Sequence, residues 1–121
     1  LKRAKELEIG NVEYKLTLTN LLSNQQKLDS LATQMIFRIL EGAGEAIYLI
    51  GVDDDGRLIG LAETELEESE NTLKEIAALI NANVSQIRIR DGEDGKVGEY
   101  LIRRIVGTED LPIDITIDTV G

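Results

Sequence analysis

The hydrophobic period of this chain changes twice within its first half, and those changes limit what it can fold into. Val12, Tyr14, Leu16 and Leu18 alternate with Glu13, Lys15 and Thr17, the period of a half-buried strand. Leu28, Leu31, Ala32, Met35, Ile36, Ile39 and Leu40 then recur at three- and four-residue steps and predict an amphipathic helix. Residues 46–52 are continuously apolar, as a central strand covered on both faces requires. Strand, helix and covered strand in succession demand a sheet with helices packed on it.

The rest of the chain extends that reading. Ser23 with Gln26 is a candidate capping box for the first helix, and Gly42 a candidate left-handed exit. Asp53, Asp54, Asp55 and Gly56 punctuate, after which Leu58, Ile59 and Leu61 predict the second arm of a hairpin. Thr64 with Glu67 suggests another cap, and Leu66, Leu73, Ile76, Ala77 and Ile80 the buried stripe of a second helix that stops near Asn81–Asn83. Two strands follow at about 84–90 and 97–106, separated by the turn-rich run 91–95. Ile113, Ile115 and Ile117 alternate with Asp114, Thr116 and Asp118 in a last strand. The expected fold is α+β: a mixed, mainly antiparallel sheet packed with two main helices in two layers. Residues 1–106 form the domain, and 107–121 a linker and a strand that belongs to something else.

Composition narrows the chemistry. With no His and no Cys, the chain has neither the usual general base and transition-metal ligand nor any thiol or disulfide. No apolar run approaches the length of a membrane span, and a cytoplasmic location is expected. A net charge of −10 argues against a general nucleic-acid surface, yet the charge is uneven: residues 38–80 hold eleven acids against Arg38, Arg57 and Lys74. Arg88, Arg90, Lys96, Arg103 and Arg104 fall in the last hairpin. If its strands pair, Arg88 and Arg90 share a face that Arg103 or Arg104 joins, a small patch suited to phosphates. The alternative is cross-strand pairing with acids such as Glu99. Asp53–Asp55 before Gly56 is turn chemistry, the other use of such residues being metal ligation. The glutamates from Glu63 to Glu70 read as a solvated helix start, or as a surface for a basic partner.

From Leu28 to Val106 the sequence resembles the N-terminal region of the GTP-binding-protein-one type of translational GTPase, relatives of elongation factor Tu. The residues that carry the likeness are Gln34-Met35 with Arg38, the run from Leu40 to Tyr48, Ile50 to Gly56, Gly60-Leu61, Thr72-Leu73 and Tyr100 to Arg104. Residues 113–121 look like the strand entering the phosphate-binding loop, with Gly121 as that loop's first glycine. The resemblance implies GTP and Mg²⁺ bound by a longer protein that works with RNA or the ribosome, and a GTPase domain for this one to accompany. It implies no cofactor here, since the one Gly-Lys pair, Gly95-Lys96, is followed by Val97. A free strand at 113–120 is also expected either to be disordered or to pair with a sheet edge, here or in another copy.

A second resemblance, carried by Val12-Glu13-Tyr14-Lys15, Ile50-Gly51-Val52-Asp53-Asp54 and Gly60, is to the AlbA-divergent core of Schlafen proteins. Some members of that group cut structured RNA with three carboxylates. The matching positions are Glu8, Glu13 and Asp53 or Asp54, which would act with a divalent metal. The run 41–45 departs from that family's pattern.

Overall fold

The computed structural model describes residues 10–105. In chain order they form β1 (Val12–Lys15), α1 (Gln25–Glu41), β2 (Glu45–Ile50), α2 (Glu63–Ala78), β3 (Ala82–Asp91) and β4 (Lys96–Arg104). The four strands make one sheet in the order β1-β2-β4-β3. β1 runs parallel to β2, and β4 runs antiparallel to both its neighbours. This is the expected mixed, mainly antiparallel α+β sheet with two helices. The expected linker and strand within 107–121, with Glu8 and Gly121, lie outside the described residues.

Both helices pack on one side of the sheet. Leu28, Leu31, Met35, Ile36 and Ile39 of α1 and Leu66, Leu73 and Ile76 of α2 meet Ala46, Tyr48 and Ile50 of β2 and Tyr100 and Ile102 of β4. Each buried aliphatic or aromatic side chain here stabilises the fold by about 1.5–3 kcal/mol relative to exposure. β2 is interior as its composition requires. Leu49, on its other face, joins Tyr14, Val52, Leu58 and Val97 in a second apolar cluster. The segment joining β1 to α1 is pinned to α2: Ser69, fully buried, accepts from the Leu18 amide at 2.9 Å, and Glu68 accepts from that of Asn20 at 2.8 Å.

Several local expectations are corrected. The first helix is capped by Asn24, whose side chain accepts from Lys27 N at 3.0 Å, in place of the Ser23–Gln26 box. Ala62, not Thr64, caps α2, and the Glu65 side chain returns to the Ala62 amide at 3.3 Å. Gly42 has φ −99°, so the left-handed exit falls to Ala43 (φ +56°) and Gly44 (φ +113°). Glycine is needed at 42 for space, since a Cβ there would lie 1.9 Å from Glu45 O and 2.6 Å from Asn11 Cβ. The second hairpin arm is reduced to single bridges, Val52 to Leu58 and Leu61 to Lys96. The 91–95 turn folds over it, with the Glu93 and Asp94 amides donating to Leu58 O and Ile59 O.

Candidate functional site

The side of the sheet away from the helices divides in two. Its β1–β2 half carries Val12, Tyr14, Ile47 and Leu49 of the second apolar cluster. Its β3–β4 half is polar, and a β-bulge decides what it displays. Up to Gln86 the ladder pairs Asn83 with Arg103, Ser85 with Leu101 and Gln86 with Tyr100; beyond it Arg88 pairs with Glu99 and Arg90 with Val97. Ile87 is the extra residue. Because side chains alternate with period two, one inserted residue exchanges the faces of everything after it. Arg88 and Arg90 would otherwise align with Tyr100 and Ile102 on the helix side. The bulge turns them to the open side with Glu99 and Arg103.

Glu99, only 9% exposed, holds both arginines: Arg88 Nε donates to Oε1 at 2.9 Å and Arg90 Nη1 to Oε2 at 3.1 Å. Arg103 makes a two-pronged contact with Glu45 Oε2, from Nη2 at 2.7 Å and Nε at 3.0 Å. It stands four residues along β4 from Glu99, a distance of about 13 Å in a strand. Both pairing with acids and a shared arginine face are therefore realised at once. Three arginines against two carboxylates leave one net positive charge. The carboxylates fix the guanidinium planes, while Arg88 and Arg103 remain 62% and 60% exposed and keep outward donors.

Lys96 and Arg104 do not join this face. They alternate with Arg103 and Glu99 along β4 and so belong to the helix side. Lys96 instead donates to Asp91 Oδ1 at 2.6 Å, and that hydrogen bond holds the Asp91 carboxyl below its ordinary range. The sequence left open whether Arg103 or Arg104 meets Arg88. The bulge selects Arg103.

Of the carboxylates of the alternative reading, Glu13 and Asp53 have partners within the fold. Glu13 is 5% exposed on the helix side, where Arg38 Nε donates to its Oε1 at 2.6 Å and Lys15 Nζ lies 3.7 Å from Oε2. Arg38 also donates to Gly10 O at 2.8 Å. Asp53 Oδ1 accepts the Asp55 and Arg57 amides, both at 2.9 Å, as an aspartate heading a turn does. Asp54 is exposed beside it. Among the described residues no three His, Cys, Asp or Glu side chains gather closely enough to hold a metal ion.

The buried polar group around Glu13 escaped the sequence reading. Tyr48, opposite Glu13 in the ladder, has a buried hydroxyl with no hydrogen-bond partner among the described residues, and the same is true of Gln34 Oε1. Burial, reinforced by the Glu13 charge, pushes the Tyr48 phenol pKa upward. The available signal was the position of Gln34 and Arg38 on the flank of the α1 stripe, one turn apart.

Fold and site thus define a small sheet module with a two-helix cover and an arginine-bearing open face. It is related to a segment of GTP-binding proteins. GTP-binding protein 2 of mouse and of human is 38% identical over 121 residues, 96% of this chain and 20% of theirs. GTP-binding protein 1 of Xenopus laevis is 38% identical over 96 residues, 79% of this chain and 14% of its own. A mimivirus protein, R625 of Acanthamoeba polyphaga mimivirus, is 35% identical over 79 residues, 64% of this chain and 41% of its own. The chain therefore spans about a fifth of the length of the GTP-binding protein 2 sequences. No protein-family model and no solved structure matches it. No described helix is long and apolar enough to cross a membrane.

Proposed function

We propose that this chain is a non-catalytic accessory module of an elongation-factor-like GTP-binding protein, and that its open sheet face engages structured RNA, free or in the ribosome. The observation that carries the reading is the bulge-directed row of Arg90, Arg88 and Arg103 on one exposed face, each guanidinium oriented by a carboxylate. Preset planar donors suit phosphate oxygens, and neutralising phosphates releases counterions. The identity to GTP-binding proteins 1 and 2 supports the wider assignment, with GTP and Mg²⁺ held by other parts of a longer cytoplasmic protein. That a 79-residue match fills 41% of a mimivirus protein, while a 121-residue match fills 20% of GTP-binding protein 2, fits a module used in different settings. The carboxylate-nuclease reading has no comparable support, because Glu13 is ion-paired and Asp53 is spent on a turn.

Fluorescence anisotropy with a labelled RNA hairpin tests the face. Arg88→Glu with Arg103→Glu is expected to weaken binding about tenfold or more. Undiminished binding by that double variant removes the face from the account.

A further inference from the structure

β3 is ten residues long and ends the sheet, and no described strand pairs with its outer side. Residues 85–89 are all exposed, including Ile87 at 50% and Ile89 at 38%. A long edge bearing isoleucines is a template for another strand unless something guards it. Arg88 and Arg90 stand on the open side. The helix side differs. There Gln86 and Ile89 form one wall of a groove of ≈ 500 Å³, and α2 forms the other, with Leu66 low and Glu63 and Glu67 along it. Gly98, opposite Ile89, leaves room for the Tyr100 ring, which a Cβ there would meet at 2.6 Å.

The charges of this groove are not evenly committed. Glu70 is held by Lys74 at 3.0 Å and by the Tyr100 hydroxyl at 3.1 Å, and Lys96 by Asp91. Glu63 and Glu67 are exposed and stand in no ion pair among the described residues. We propose that the outer edge of β3 is a strand-addition site for an extended basic peptide segment. The peptide backbone pairs with β3, and alternate Lys or Arg side chains turn into the groove toward Glu63 and Glu67. Period-two alternation puts every second peptide residue on that side. A second copy of this chain is the poorer occupant. Copies at net charge −10 repel, and β3 paired antiparallel with itself sets Arg88 and Arg90 of both copies on one face. The groove lies on the opposite side of the sheet from Arg88 and Arg90, and the inference does not rest on those arginines binding RNA.

The test is an amide NMR titration of the 121-residue chain with an alternating Lys-Thr decapeptide, its backbone N-methylated analogue and an Asp-Thr decapeptide. Binding by the basic peptide alone is expected, with shifts concentrated in 84–91 and along α2. Replacing Glu63→Lys together with Glu67→Lys is expected to weaken it about tenfold. Both positions are exposed, and the N-methylated comparison needs no variant. Equal binding of the N-methylated peptide would reduce the effect to charge alone and overturn the proposal. So would absence of shifts in β3, absence of binding, or self-association of the free chain.

Discussion

At the scale of single residues, the group most exposed to disturbance is the Glu13–Arg38 pair. Glu13 is 5% exposed and its carboxylate is satisfied chiefly by Arg38 Nε at 2.6 Å. Arg38→Met is expected to destabilise the fold by about 3 kcal/mol, because a buried charge is left without its partner. Adding Glu13→Gln should recover a large part of that loss. Urea denaturation of the two single variants and the double variant checks this as a thermodynamic cycle. The tyrosines supply a pH prediction. Burial raises the phenol pKa of Tyr48 and of Tyr100, the latter also through the Glu70 carboxylate it bonds. Tyrosine in the unfolded chain ionises near pH 10. Below that pH neither state loses the proton and stability is unaffected. Above it the unfolded state releases protons that the folded state retains, so stability falls as pH rises. Tyrosinate absorbance should show these two phenols protonated until the fold is lost.

Among the elements, the two helices were legible and their ends were not. Burial writes a period into α1 and α2 that survives any choice of neighbours, whereas a cap depends on which backbone amide is nearest. Ser23 and Asn24 are equally good capping types, and only the chain entering from Leu21, whose carbonyl accepts from Asn24 N at 2.9 Å, decides for Asn24. At α2 the cap is Ala62, exposed and without a side-chain acceptor. Ala62→Ser should complete a box with Glu65 and stabilise the protein by about 0.5–1 kcal/mol, read as a raised denaturation midpoint. The strands follow the same division. β2 and the last hairpin were legible from composition and turn residues. The bulge at Ile87 was not, because Gln86-Ile87-Arg88 carries none of the glycine or turn chemistry that marks a break. That one residue decides which arginines stand together. The arm at 58–61 read as a strand because Leu58, Ile59 and Leu61 are apolar. They serve as single bridges under the 91–95 turn, where Gly95 is required because a Cβ would meet Leu61 O at 2.4 Å.

For the molecule as a whole, the net charge of −10 and the arginine face pull in opposite directions. The acids crowd onto α2, and across the sheet from it stand Arg88, Arg90 and Arg103. With a Debye length of about 8–10 Å near physiological salt, a face carrying one net positive charge is sensed locally despite the rest. The role proposed for this face is to meet phosphates. The most direct measurement is the salt dependence of binding to an RNA hairpin for the wild-type chain and for Arg88→Glu with Arg90→Glu. Three phosphate contacts predict a log–log slope of about −2 to −3 for the wild type and a slope near −1 or no binding for the variant. No binding by the wild type at low salt, or the same slope in both proteins, would contradict it.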